Sequence, residues 1–452
     1  MPITRYVAEL ARLPAGWYRN VRFDVDDDGM IARVAIGESA RDATMLAGAT
    51  IPGLPNVHSH AFQRALAGRL ERAADEHESF WTWREGMYDL AERLTPDDVE
   101  SVATFLYIEM LEAGYTAVGE FHYLHNDPSG AAYATRTEMS DRLVRAAEIA
   151  GIDLTLLLVS YRRGDFGTNA IAPAQRRFVT EIDDLAAMLE ALRPRARVGI
   201  APHSLRAIGN TELLELLAVT TKEGSIPVHI HVAEQQREVD ECLRQYGQRP
   251  VAWLLANAPV SRAWTLVHAT HVDPDELLGI VASEAVVGSC PTTEANLGDG
   301  IFPAAEFVRA GGRLGIGSDS HVAVDPAEEL RLLEYGQRLR EERRSVLTDA
   351  SGSAGDMLYA RAADGGAQAL GVRSGAIVKG RRADLVTLDL ENPAFAACVP
   401  ETLLDAWIFG GSRNVIRDVI VAGKQVVFSG KHPERENAKR RYKQTLQRLF
   451  AG

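Results

Sequence analysis

The chain has 452 residues, 46% of them apolar, which suits one large barrel plus a smaller module, or two to three domains. A formal net charge of −13 argues against nucleic acid or an anionic membrane as the main partner, although a few local arginines can still bind a small anion. Cys242, Cys290 and Cys398 show no C-x-x-C spacing, the start lacks a signal-peptide pattern, and no apolar run reaches membrane-span length, so a reduced, soluble, cytoplasmic protein is expected.

Residues 1–52 read as strand and turn: "YRNVRFDVDDDGMIARV" sets Asp-Gly between alternating runs. "ATIPGLPNV" reads as the first strand of a longer series, with "FWTWREGMY" in the loop region after it. In "TPDDVESVATFLYIEMLEAG", Thr95 is the predicted N-cap, Pro96 takes the first helical position, two acids follow, and Gly114 ends the helix. Strand "YTAVGEF" follows, then helix "MSDRLVRAAEIAG", strand "IDLTLLLVS", helix "EIDDLAAMLEAL" and strand "ARVGIAP". Helix "NTELLELLAVTTKEG" leads to strand "IPVHIHVAE". Helices in "QREVDECLRQYG" and "PVAWLLANA" lead to strand "AWTLVHATH". Helix "DPDELLGIVAS", strand "AVVGSCP", helix "PAAEFVRAGG" and strand "RLGIGSDSH" complete the series, and a long helix starts near Ala327.

Eight strands alternating with helices predict an α/β fold, a parallel (β/α)8 TIM-like barrel over residues 53–370. A doubly wound sheet is the alternative, but no G-x-G-x-x-G supports it. Strand-and-turn character returns in "GAIVKGRRADLVTLD" and "VIRDVIVAGKQVVFSG". One small β-sandwich module is therefore expected from residues 1–52 and 371–452. The tail "ERENAKRRYKQTLQRLF" is a basic amphipathic helix expected to pack on that module.

Histidines gather where predicted strands end: His58 and His60, His122, His203, His229 and His231, His268 and His271, with His321 beside Asp319. Functional side chains of a barrel collect at that end. Alternate residues of a strand share a face, so His58 and His60 can meet one ion. With a further imidazole from "HIHVAE" and Asp319 from "GIGSDSH", the set suits Zn²⁺, with Fe²⁺ also compatible. Such an ion lowers the pKa of its water from 15.7 to about 7. Asp319 is the candidate to take a proton from that water, and Glu234 the candidate to deliver one to a leaving nitrogen; the later acids of "AEQQREVDE" read as surface residues.

"PNVHSH", "HIHVAE", "LVHATH", "GIGSDSH" and "GRRADLVTLD" together make the chain resemble the amidohydrolase superfamily over nearly its whole length. The resemblance implies a metal site of His58, His60, His231 and Asp319, with Glu234 and His268 assisting proton transfer and His229 structural. Two-metal members carry a lysine in the fourth strand, whereas "ARVGIAPHSLR" has none; one divalent metal per chain is implied, as in the deaminase branch, which also shares the H-x-x-E spacing of His231 and Glu234. "HAFQRALAG", "FWTWREGMY", "EFHYLH", "HSLRA" and "CPTTEANLGDGIFP" further resemble the branch acting on a linear amidine. They imply hydrolysis of N-formimino-L-glutamate to N-formyl-L-glutamate and ammonia, in histidine degradation.

That substrate carries two carboxylates, and arginine pairs with carboxylates bidentately; Arg84 and Arg206 are the candidate clamps. Gln63, Tyr123 and His203 follow from the resemblance as further substrate contacts, and Glu294 and Asn296 either shape the pocket or fold its loop. A homodimer is the family expectation. The competing readings are a mononuclear-metal deaminase of a purine, pyrimidine or guanidino compound, against which the arginines count, and a catalytically dead scaffold, against which the intact ligand set counts.

Overall fold

The computed structural model describes residues 4–38, 41–72, 79–221, 226–411 and 415–451. Alternating apolar residues at the amino terminus build β1 (Thr4–Leu13), β2 (Gly16–Val25) and β3 (Ile31–Ile36) as an antiparallel meander. Gly29, at φ +74°, makes the β2–β3 turn, as the Asp-Gly pair predicts. β4 (Thr44–Pro52) then pairs parallel to β1.

At Gly53 the chain changes sheets. β5 (Leu54–Ser59) is the first barrel strand, so "ATIPGLPNV" is not one strand but the end of one and the start of another. Both halves are buried, and an unbroken apolar run therefore hides the switch. The glycine is needed: a Cβ at position 53 would lie 2.3 Å from Thr116 Oγ1.

β6 (Tyr115–His122), β7 (Asp153–Ser160), β8 (Arg197–Pro202), β9 (Val228–Val232), β10 (Trp264–His268), β11 (Val286–Ser289) and β12 (Arg313–Ile316) continue from β5. All neighbours are parallel, and β12 closes onto β5 through Ile316 and Asn56, giving the expected eight-stranded barrel. α1 (Phe80–Arg93) and α2 (Pro96–Ala113) follow β5. Thr95 and Asp98 form a reciprocal cap at the start of α2, and Gly114 ends it at φ +105°. The outer ring continues with α3 (Glu138–Ala150), α4 (Ile182–Leu192), α5 (Asn210–Thr221), α6 (Gln236–Tyr246), α7 (Pro250–Asn257), α8 (Pro274–Ser283), α9 (Pro291–Leu297), α10 (Ala304–Arg309), α11 (Pro326–Glu341) and α12 (Ala354–Ala369). α9 and α12 escape the sequence reading: α9 is short, and the Gly-rich "RAADGGAQAL" weakens the signal of α12.

Those glycines let α12 press against the barrel floor. A Cβ at Gly365 would lie 2.0 Å from the Leu314 carbonyl oxygen. Ala369 packs with Val57 and Val286, and the Leu370 carbonyl accepts from Thr155 Oγ1 at 3.0 Å. The floor is thus sealed, which leaves the carboxyl ends of the strands as the open face.

β13 (Leu385–Leu388), β14 (Ile416–Val421) and β15 (Lys424–Val427), with α13 (Leu403–Phe409) between the first two, return to β4. Both chain ends thereby form one continuous seven-stranded sheet, ordered β15-β14-β13-β4-β1-β2-β3, with a core of its own around Phe23, Ile31 and Leu385. The terminal helix α14 (Arg435–Phe450) packs on α2 of the barrel, not on this module. Tyr442 stacks on Phe105 at 4.3 Å, and Arg448, Arg441 and Arg435 meet Asp98, Glu100 and Glu112. The basic face follows the acids of α2, a pairing that the tail's own pattern does not contain.

A candidate metal centre at the carboxyl ends of the barrel strands

Three imidazoles converge through the same ring atom. His58 Nε2 lies 3.1 Å from His60 Nε2 and 3.0 Å from His231 Nε2. The other nitrogen of two of them is committed: His60 Nδ1 donates to the Phe121 carbonyl and His231 Nδ1 to the His203 carbonyl, each at 3.0 Å. Those bonds fix the tautomer and leave Nε2 with a lone pair. Burial, reinforced for His58 and His231 by neighbouring imidazoles, holds all three well below the ordinary histidine range, His60 at about 3. Neutral nitrogens with lone pairs aimed at one point repel one another unless a cation lies between them, so the donor set fits a metal ion.

Asp319 completes the group. Its Oδ1 lies 3.5 Å from His58 Nε2 and 3.4 Å from His60 Nε2. It has left-handed backbone, φ +46°, pinned by Asp319 N to the His58 carbonyl and His60 N to the Asp319 carbonyl. Strain of this kind persists only where surrounding structure over-determines it. The ends of β5 and β12 are therefore stitched together at the residues that would share an ion. Burial pushes the Asp319 carboxyl up to about 7. Behind the site, Ser59 joins Glu120 and His321, which also meets Ser318.

His268, at the end of β10, has φ +68°. Its Nδ1 faces Glu294 Oε1 at 3.2 Å, and its Nε2 lies 3.7 Å from both Glu234 Oε1 and Asp319 Oδ2. Burial alone would lower its pKa, but the three carboxylates outweigh that and raise it well above the ordinary value. Glu294 is anchored in turn by Cys290 N and Ser289 Oγ. Asn296 instead bonds Glu71 near the surface and lies away from the pocket lining.

Glu234 follows Ala233, whose φ is +52°. Glu238 holds this turn, accepting from Ala233 N at 3.1 Å and Glu234 N at 3.2 Å. Glu238 is 1% exposed, so the reading of the later acids of "AEQQREVDE" as surface residues is wrong for this one. On the amphipathic α6 it occupies the inward face, a periodicity that a charged residue conceals.

A cavity opens above the cluster, lined by every residue singled out from the sequence for chemistry or substrate contact except the deeper His58. Gln63 donates to Tyr123 Oη at 2.8 Å, and His203 stands edge-on to Tyr161 and Tyr123. Arg84 lies on helix α1, not in a loop, because Ser79 caps a helix across the aromatic segment. Its guanidinium sits 4.5 Å over Trp81, and that of Arg206 lies 5.5 Å from the same ring. Among the described residues neither arginine has an ion pair or a side-chain hydrogen bond, and the Nε of each is buried without a partner. Phe80, Trp83, Met87, Tyr88, Tyr161 and Phe178 also line the walls; of these, Tyr161 and Phe178 lie outside every stretch singled out from the sequence.

The other strand-end histidines lie elsewhere. His229 Nε2 bonds the Ala369 carbonyl on the floor side, His271 Nε2 bonds the Asp299 carbonyl, and His122 packs edge-on against His125.

The amidohydrolase family model matches residues 49–426. The chain is 49% identical to a formimidoylglutamate deiminase of Pseudomonas aeruginosa, over 98% of this chain and 99% of that one. It is 28% identical to a 5-methylthioadenosine/S-adenosylhomocysteine deaminase of Natronomonas pharaonis, over 87% and 85% of the two chains. A crystal structure of an amidohydrolase from Brucella melitensis superposes with a TM-score of 0.93 at 43% identity, covering 99% of each chain. A zinc-bound adenosine deaminase from Xanthomonas campestris, 23% identical, shares the fold with a TM-score of 0.81 over 99% of each chain. The chain belongs to the amidohydrolase family.

Proposed function

We propose that this chain hydrolyses the C–N bond of N-formimino-L-glutamate, giving N-formyl-L-glutamate and ammonia, a step of histidine degradation. The observation that carries the substrate class is the pair of guanidinium groups, Arg84 and Arg206, that face the cavity with no carboxylate of the described residues in contact with them. A buried cation without a partner is costly, and a dicarboxylate ligand supplies that partner. The 49% identity to a formimidoylglutamate deiminase supports the same choice.

His58, His60, His231 and Asp319 would hold one divalent cation, Zn²⁺ in our reading, with Fe²⁺ served by the same donors. When bound, that cation supplies Lewis acidity, bringing the pKa of water down to about 7. Asp319 Oδ2, turned toward His268, takes the proton of the attacking water. Arg84 and Arg206 hold the two carboxylates and so set the formimino carbon over the cluster; Gln63, Tyr123 and His203, which line the same cavity, contact the substrate. Glu234 delivers a proton to the departing nitrogen, so that ammonia leaves and the glutamate nitrogen stays. His268, held as an imidazolium by its carboxylates, stabilises the negative charge that develops on oxygen. The protein is expected to be a cytoplasmic homodimer; among the described residues no helix is long and apolar enough to cross a membrane.

The test is ammonia release from a panel of N-formimino-L-glutamate, N-formimino-L-aspartate, guanine, cytosine and S-adenosylhomocysteine. Turnover of the glutamate compound ahead of all others is expected. Release from a purine or pyrimidine instead would keep the hydrolytic site and overturn the substrate.

A further inference from the structure

Beside the cluster that would hold the catalytic ion lies a second group of donors. Glu234, His268 and Asp299 each bring one ligand atom, all within 4.8 Å of one another, and all three side chains are buried. Unlike His60 and His231, His268 is held charged by its carboxylates, but Glu294 faces its Nδ1 and leaves Nε2 directed into the pocket, so a cation there would take the place of the Nε2 proton. A carboxylate behind the far nitrogen is the usual support of a zinc-bound imidazole. Asp299 supplies an independent sign. Gln235 bonds its Oδ1, while its Oδ2 is buried with no hydrogen-bond partner in a residue only 4% exposed. A buried carboxylate oxygen without a partner is rare and calls for a proton, a water or an ion. The surroundings are rich in negative charge, since Glu234, Glu294, Asp299 and Asp319 all bear on the one imidazole.

We propose that Glu234, His268 and Asp299 form a second, weaker divalent-cation site, specific for zinc-like ions, whose occupation switches the enzyme off. One imidazole and two carboxylates make a zinc donor set. Bonds of about 2.1 Å at a tetrahedral centre bring donors to about 3.4 Å from one another. The 3.7 Å between His268 Nε2 and Glu234 Oε1 needs a closure of a few tenths of an ångström, and Asp299, within 4.8 Å of both, joins them by a movement of up to about 1.4 Å. The site is weaker because it has three protein donors, one of them already held by Gln235. It inhibits because a cation there engages Glu234 Oε1 and His268 Nε2, the atoms that deliver the proton and stabilise charge in the proposed reaction. This inference rests on that reading for the inhibition, but not for the binding.

The experiment starts from protein carrying one equivalent of Zn²⁺ and measures further Zn²⁺ and Co²⁺ uptake by equilibrium dialysis, with the Co²⁺ absorption spectrum and activity followed in parallel. Wild type is expected to take a second equivalent at micromolar free metal, to gain a second Co²⁺ band set, and to lose activity in proportion. Asp299→Asn should keep the first equivalent, which also shows that it is folded, and weaken the second at least tenfold. Asp299→Ser is the substitute should the asparagine variant fail to fold. No second equivalent in wild type up to millimolar metal, or undiminished second binding in the Asp299 variants, would overturn the proposal. Failure of the first equivalent to bind contradicts instead the metal centre of the proposed function. A second equivalent without inhibition keeps the site and removes the roles given to Glu234 and His268.

Discussion

The two poles of the cavity are built differently. At the deep pole, His60 and His231 each commit Nδ1 to a backbone carbonyl and keep Nε2 free, and Asp319 is fixed by backbone bonds between strand ends. At the outer pole, Arg84 stands on a helix and Arg206 beyond β8, and aromatic rings are the groups that touch their guanidiniums. The first pole is held by hydrogen bonding, whereas the second is held by stacking, with no carboxylate of the described residues in contact with its guanidiniums. In the proposed reading, the deep pole carries the chemistry and the outer one the choice of substrate.

The largest effect tests the deep pole. His231→Ala should lower bound metal below half an equivalent and activity to background, measured on the same sample by metal analysis and ammonia release. If activity survived without metal, the poles would not divide as described. Glu234→Gln should lower kcat by about 10²–10⁴-fold with little change in KM, because it removes a proton donor and not a binding contact. An equal rise in KM would place Glu234 at the outer pole's task. Arg206→Met should act the opposite way. Loss of a charge-assisted contact of about 1.5–3 kcal/mol raises KM roughly 10- to 150-fold while metal content stays at one equivalent. Arg84→Met is expected to follow in the same direction but less, since its side chain is only partly buried. The smallest effect belongs to Trp81→Leu, which removes the ring under Arg84 and beside Arg237. A cation–π contact of about 0.5–1 kcal/mol gives a two- to fivefold rise in KM by steady-state kinetics.

The same contrast explains what could be read from sequence. The deep pole is legible because its residues sit at fixed offsets from strand ends: two apart for His58 and His60, three apart for His231 and Glu234. The barrel is legible because its strands after the first are apolar runs that alternate with helices. Residues whose role depends on packing were not legible. Glu238 looks like a solvated acid in a string of letters, yet the fold buries it against the turn of Glu234; Glu294 could be nominated for the pocket or its loop, but not as the partner of the His268 ring. The sheet switch at Gly53 leaves no break in hydrophobicity, and the site of α14 depends on acids more than 300 residues away. Arg84 and Arg206 could be nominated, but that they lack partners is a fact about space and not about order along the chain.

The most direct measurement compares kcat/KM for N-formimino-L-glutamate and for its dimethyl ester, in Zn-loaded wild type and in the Arg84→Met/Arg206→Met double variant. The ester keeps the reacting carbon and loses both charges. The account predicts a preference for the free acid of roughly two orders of magnitude or more in wild type, collapsing in the double variant through loss on the acid alone. Equal turnover of acid and ester by wild type would contradict it, and would return the outer pole to a neutral substrate.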